Sequence, residues 1–227
     1  MSVRERNYRV LTACLAALAV LAIGFSLVRP GPAPFSANPF RDALFLAVLA
    51  IVAEELAVEI ADRLTITAGG LPILLAVMYT GRVPALMVAL LVGFWGCWRE
   101  SSATVGLYNG ANHVISVFLA VVAFDLVSMT LRVSPNGLSF GLLVSGAAAA
   151  VVFEAALSSI VSVGMLVKYG KRIGVFFREE VKPFFQSVAV LVLLGLAIAA
   201  LYVTAGPVAV ALLFVPLFAS QYMFKLL

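Results

Sequence analysis

Three glutamates lie within two turns of residues 51–62, IVAEELAVEIAD, a stretch that is apolar apart from these glutamates and Asp62. In a helix, Glu55 and Glu59 share one face, whereas Glu54 is turned about 100° away from Glu55. A charged carboxylate at the centre of a membrane helix costs about 2.5–3.5 kcal/mol on insertion scales, so such residues usually face the bundle interior. We therefore expect these carboxyl groups to point inward and to meet polar partners.

The expected partners lie in YNGANHVIS, residues 108–116, which includes the only histidine of the chain, His113. Asn112, His113 and Ser116 follow Asn109 by three, four and seven residues, so these four side chains lie near one helical face. Counting residues from the helix ends places His113 at a depth near Glu59, and Glu154 near Glu54. The predicted polar and ligand-binding site comprises Glu55, Glu59, Asn109, Asn112, His113 and Glu154.

Three interpretations of this polar cluster stay open. It holds helices together as ordinary interhelical hydrogen bonding does, it responds to protons or cations, or it binds a small molecule. One histidine among scattered carboxylates matches no metal-ligand spacing. The sequence contains no nucleophile–base pair, phosphate loop or nucleotide motif, and no lysine in the middle of an apolar segment. We therefore expect no catalytic residues, no enzyme activity, no bound metal and no cofactor.

Composition places the chain in a membrane. Hydrophobic residues make up 63% of the 227 positions and charged residues only 11%, against about 25% charged residues in soluble domains. The net charge of +4 arises in loops, which report topology rather than nucleic-acid binding. The sequence predicts an all-α integral membrane protein that forms one transmembrane helical domain over residues 1–227, with the lipid bilayer as its partner.

The apolar runs predict a bundle of seven to eight transmembrane segments, including a hairpin of two short helices at 66–98. Gly81 and Pro84 break that run, because a straight helix does not tolerate them together. The first run is longer than the roughly 7–15 apolar residues of a signal peptide, so we expect it to stay uncleaved. The predicted segments are 8–28, 41–62, 66–80, 83–98, 109–131, 138–167, 184–204 and 207–225.

Charge predicts the topology. With eight crossings, eleven of the 15 Lys and Arg residues share one side with both termini, and four lie opposite. The positive-inside rule then places both termini in the cytoplasm, and a re-entrant hairpin at 66–98 gives the same parity. The basic segment 168–182 is expected at the membrane interface. Asp125 is expected to pair with Arg132 or with Arg82.

The order of motifs resembles the multi-span membrane module that precedes HD-GYP phosphodiesterase or GGDEF diguanylate cyclase domains in bacterial signalling proteins. The matching features are Thr65 and Thr67 before a short helix, the pair Tyr108-Asn109, and Pro216 in the last helix. Where that family has a Gly-Pro break, this chain has 81–84, Gly-Arg-Val-Pro. The resemblance implies a sensory module of the bacterial cytoplasmic membrane that binds a ligand or responds to ions or protons.

Such a module relays its signal through the last helix to a cytoplasmic signalling domain, and we expect the helix ending in QYMFKLL to continue toward one. The middle of the chain also resembles the substrate-binding component of energy-coupling-factor vitamin transporters. That resemblance implies a transporter partner subunit, docked through the small residues Ala13 and Ala17. A homo-oligomer and a purely structural membrane protein complete the alternatives.

Overall fold

A computed structural model gives the fold of the chain. The structure describes the backbone of residues 2–29, 31, 35–56, 58–61, 64–66, 69–99, 102–133, 139–170 and 173–226. Side chains are described over the same ranges except 58–66, 173–191, 203, 207, 221 and 224–226.

The fold is a helical bundle with one short hairpin of strands. Its helices are α1 (Val3–Val28), α2 (Pro39–Glu55), α3 (Gly70–Tyr79), α4 (Arg82–Arg99), α5 (Ala103–Thr130), α6 (Phe140–Tyr169) and α7 (Ile173–Leu226). The last of these is broken at Gly206, whose φ of 79° and ψ of −178° are not helical. The break predicted at Gly81 and the one predicted between the segments 184–204 and 207–225 are thus confirmed.

The predicted second helix is too long. Helix α2 ends at Glu55, and strand β1 (Val58–Ala61) then pairs antiparallel with β2 (Leu64–Ile66), so that Glu59 lies opposite Thr65. The two strands are rich in Val, Ile and Thr, which favour extended backbone. Glu55 and Glu59 therefore do not share a helical face. Outside this short hairpin the described elements are helices, as the all-α prediction expects.

The fifth helix also differs from the prediction. It begins at Ala103, six residues before the predicted start at Asn109. Residues 103–108, which lie between two predicted segments, therefore form its first turns. Helix α5 runs for 28 residues and packs against α1, α3, α4 and α6. Tyr108 and Asn109 are consequently inside the helix rather than at its entrance.

Helix α3 is the enclosed centre of the bundle. Its ten residues span only about 15 Å, about half of a bilayer's hydrocarbon core. Every residue from Leu71 to Tyr79 is buried, and α3 contacts α2, α4, α5, α6 and α7. A short apolar helix with no exposed face is stable because its neighbours cover it on every side.

The bundle has two ends, defined here by residues near them. At the Asp42 end, the Ser36 N–H donates to the Tyr79 carbonyl oxygen at 2.9 Å, and Arg82 Nη1 donates to the Arg29 carbonyl oxygen at 2.7 Å. At the Glu55 end, Arg4 Nη1 donates to the Tyr169 carbonyl oxygen at 3.5 Å. The described basic residues divide between the ends as the charge count predicts: Arg29, Arg41, Arg82 and Arg132 at the first, and Arg4, Arg6, Arg9, Arg99 and Lys168 at the second.

Helices α4 and α5 touch backbone to backbone near the Glu55 end. A Cβ atom on Gly93 would lie 2.8 Å from Gly110 Cα, and one on Gly106 would lie 2.6 Å from Cys97 Cα. Any larger side chain at these glycines would force the helices apart. Small residues at such spacing are typical of membrane helices that approach closely.

Four of the described helices, α1, α4, α5 and α6, are long and apolar enough to cross a membrane, and shorter apolar helices accompany them. Large apolar side chains also face outward along them, for example Leu21 at 67% exposure and Phe94 at 67%. This surface fits hydrocarbon, which is as apolar as the side chains themselves. Length, composition and outward surface are those of a helical membrane protein.

Candidate functional site

A closed polar network surrounds Asp42 in the first turn of α2. Asp42 is buried, and its Oδ2 accepts hydrogen bonds from Ser36 Oγ at 2.6 Å and from the Tyr202 hydroxyl at 2.5 Å. Arg41 donates from Nε and Nη2 to the other oxygen, both at 3.1 Å. Both carboxylate oxygens of Asp42 are therefore held, as a buried charge requires.

Two tyrosines extend this network to the helix that precedes the Gly206 break. The ring of Tyr79, at the end of α3, stacks on the ring of Tyr202 with centroids 4.8 Å apart. The Tyr79 hydroxyl donates to the Ala199 carbonyl oxygen at 2.9 Å. The segment before the break is thus bonded to α2 through Tyr202 and to α3 through Ala199.

An ion pair closes the same end of the bundle. Arg82 Nη2 donates to Asp125 Oδ2 at 2.6 Å, and the two side chains are only 11% and 12% exposed. The guanidinium also lies 5.7 Å from the centre of the Phe25 ring. The predicted partner of Asp125 is therefore Arg82 rather than Arg132. This pair ties the start of α4 to α5, and through the Arg29 carbonyl it also holds the end of α1.

The two described glutamates of the 51–62 stretch lie at the opposite end. Trp95 Nε1 donates to Glu55 Oε1 at 2.8 Å, and Arg99 pairs with the same oxygen at 3.4 Å. The Glu54 carboxylate lies against Gly69, at the first turn of α3, where even a methyl group would collide with it. A carboxylate at a helix N-terminus is favourable because the helix dipole is positive there.

The polar residues of α5 bind α6. Asn112 Nδ2 donates to the Leu157 carbonyl oxygen at 3.3 Å, and Ser116 Oγ donates to Asn112 Oδ1 at 3.2 Å. The Tyr108 hydroxyl donates to the Ile160 carbonyl oxygen, and its ring fills the space above Gly164. Asn112 and Tyr108 thus join the two helices, as interhelical hydrogen bonds commonly do in membranes.

His113 differs from these neighbours. Its Nδ1 atom is buried and has no hydrogen-bond partner. His113 follows Gly110 by three residues and lies on the face of α5 that packs against α4.

The structure places the members of the predicted site on different elements. Glu55 is bonded to α4 near one end, whereas Asn112 and His113 lie one to two turns further along α5. Glu154 lies mid-way along α6, half-buried, and Asn109 is half-buried. The Glu59 side chain lies outside the described residues. That these residues bind a ligand stays a prediction.

The Asp42 network is what sequence reasoning missed. Asp42 and Tyr202 are 160 positions apart, and no local pattern connects them. A signal was present at each site, since Asp42 is a carboxylate in an apolar helix and Tyr202 lies four residues before Gly206. These two signals indicate a contact between Asp42 and Tyr202 only once the arrangement of the helices in space is known.

Within the described residues, no group of three or more His, Cys, Asp or Glu side chains is placed to hold a metal ion. Comparison of the chain with protein-family models, with curated proteins and with solved structures found no match. The helices place the chain in the class of helical membrane proteins.

Proposed function

We propose that the chain is a membrane-embedded sensory module that relays a change in helix packing through its last segment. In this proposal seven to eight segments cross the bacterial cytoplasmic membrane, and both termini lie in the cytoplasm. The Glu55 end, which carries more of the described basic residues, faces the cytoplasm in accordance with the positive-inside rule. The output is a cytoplasmic signalling domain that receives the last helix.

The observation that carries this proposal is the double attachment just before the Gly206 break. Tyr202 is bonded to Asp42 at 2.5 Å and Ala199 to Tyr79 at 2.9 Å. A shift of α2 or α3 therefore acts on the chain four to seven residues before the helix changes direction. A sensor needs such a link between its buried core and the element that leaves it.

The proposed input lies on α5 at His113. The buried Nδ1 of His113 has no partner, which costs free energy. A proton, an ion or a polar ligand that pairs with this atom would therefore stabilise the conformation that binds it. His113 is also a residue whose charge changes in the physiological pH range when it is exposed to water. Binding there would act on α4 and, through the bundle, on the enclosed α3, whose last full turn carries Tyr79.

Spin-label distances in lipid nanodiscs test the relay. Labels at Met129→Cys and Val215→Cys, both at exposed positions, report the last segment relative to α5 in a Cys14→Ser, Cys97→Ala background. We expect the distance distribution to shift when pH is changed from neutral to mildly acidic, or when a polar extract of bacterial metabolites is added. Tyr202→Phe should shift the distribution without any addition, because it removes the bond that ties the segment before Gly206 to Asp42.

His113→Leu is the matched control for input, since it should abolish the response while leaving the Tyr202→Phe shift intact. A distance distribution that stays the same in Tyr202→Phe, on the change of pH and on addition of the extract would overturn the proposal. A shift with Tyr202→Phe alone would retain the relay and remove His113 from the input.

A second candidate is the substrate-binding subunit of a small-molecule transporter. The observation in its favour is that Ala13 and Ala17, four residues apart on α1, both face outward. Uptake separates it from the sensor: cells expressing a transporter subunit accumulate labelled vitamin above background, and Ala13→Leu with Ala17→Leu should abolish the uptake. A sensor accumulates none.

A further inference from the structure

Glu154 is an ionisable residue at mid-depth whose bonding is incomplete. It lies near the centre of α6, about 20 Å of helix from either end. Its side chain is half-buried rather than enclosed, and the described part of the chain supplies it with no hydrogen bond or ion pair. By contrast, Asn112 on α5 and Ser145 on α6, which face the core, are hydrogen bonded.

A carboxyl group in hydrocarbon is carried as the neutral acid, because the charged form is far more costly there. A neutral carboxylic acid has one donor and one strong acceptor. Both need a partner at the same depth, and lipid tails supply none. Whatever covers the outer side of α6 is therefore expected to offer a donor and an acceptor near Glu154.

The residues around Glu154 form a stripe suited to another helix. Ala147, Val151, Glu154, Ser158 and Val161 are spaced by four, three, four and three residues, the repeat of a helix–helix seam. Val151 is 46% exposed and Val161 is 42% exposed, while Ala147 and Ser158 are partly exposed. Small and β-branched residues beside one polar position are favourable for close packing of membrane helices.

We propose that a second copy of this chain packs on the α6 stripe, with Glu154 of each copy hydrogen bonded to Glu154 or Ser158 of the partner subunit. A two-fold axis normal to the membrane brings equal depths together, so each residue of the stripe meets its own counterpart or a neighbour one turn away. A neutral carboxylic acid is complementary to itself, since each group donates once and accepts once. That self-complementarity favours a second copy over an unrelated partner.

Disulfide cross-linking in native membranes tests the geometry of the dimer. In the Cys14→Ser, Cys97→Ala background, we expect Val151→Cys and Ser158→Cys to form covalent dimers on mild oxidation. Ser159→Cys is the matched control, because it lies at the same depth and is exposed but points about 100° away from Ser158. Cross-linking at position 159 as efficient as that at 158 would indicate random collision and overturn the proposal.

Dissociation in lipid bilayers tests the chemistry. Counting labelled subunits by single-molecule photobleaching at increasing dilution gives the dissociation constant of the dimer. Glu154→Leu should raise that constant about tenfold, the worth of one or two interhelical hydrogen bonds. Glu154→Gln, which still donates and accepts, should restore most of the affinity.

Thermal unfolding of the same variants separates assembly from folding, since the leucine variant retains a helix-forming apolar side chain and should unfold like the parent at dilutions where both are monomeric. A chain that is monomeric at every density, or a dimer whose dissociation constant does not change in Glu154→Leu, would overturn the proposal.

Discussion

The two ends of the bundle hold similar ion pairs in opposite surroundings. At the Asp42 end, Arg82 and Asp125 are 2.6 Å apart and nearly enclosed, at 11% and 12% exposure. At the Glu55 end, Arg99 and Glu55 are 3.4 Å apart and exposed, at 58% and 42%. The arginine–carboxylate pair is therefore strong at the Asp42 end and weak at the Glu55 end, because water screens only the second pair.

The largest expected effect comes from breaking the enclosed pair. Arg82→Ala leaves Asp125 buried without its partner and should lower the free energy of unfolding by about 3–5 kcal/mol. Arg99→Ala, the matched change at the exposed pair, should cost about 0–1 kcal/mol. Equilibrium unfolding in mixed detergent micelles measures both. Equal losses in the two variants would show that burial does not distinguish the ends.

A smaller loss is expected when one hydrogen bond of the Asp42 network is removed. Tyr202→Phe keeps the ring stacked on Tyr79 but removes the hydroxyl that donates to Asp42, so the free energy of unfolding should fall by about 1.5–3 kcal/mol. Tyr169→Phe, at an exposed tyrosine of the Glu55 end, is the control and should change little. A Tyr202→Phe variant as stable as the parent would show that the network is dispensable for folding.

The smallest effect is expected at His113, because its Nδ1 has no bond to lose. His113→Leu should change the free energy of unfolding by no more than about 1 kcal/mol, since replacing an unsatisfied polar group by an apolar one is close to neutral. Asn112→Leu, one residue away, removes a bond to α6 and should be the more destabilising of the two. The reverse order would mean that His113 has a structural partner after all.

Local signals in the sequence predicted the breaks of the fold and one of its contacts. Gly81 and Gly206 each interrupt a helix, because each adopts a φ near +80° that other residues avoid. Counting residues also limited the partner of Asp125 to Arg132 or Arg82, and the structure shows that the partner is Arg82. These features depend on a residue and its near neighbours, and therefore a single sequence contains them.

The end of α2 and the Asp42 network were not predictable in the same way. An apolar run with glutamates at helical spacing predicts a helix that continues to residue 62. Only pairing with β2 makes Val58–Ala61 a strand. The bond from Tyr202 to Asp42 depends on how seven helices are arranged in space. Tertiary contacts override local preference in both cases.

The break at Gly206 gives the last segment the mechanics of a lever. From Gly206 to Leu226 the helix is about 30 Å long. A tilt of about 10° at the glycine displaces the far end by about 5 Å on that length, close to the pitch of one helical turn. A rearrangement around Asp42 that moves atoms by less than the length of one hydrogen bond can thus displace the far end of the helix by about the pitch of one turn.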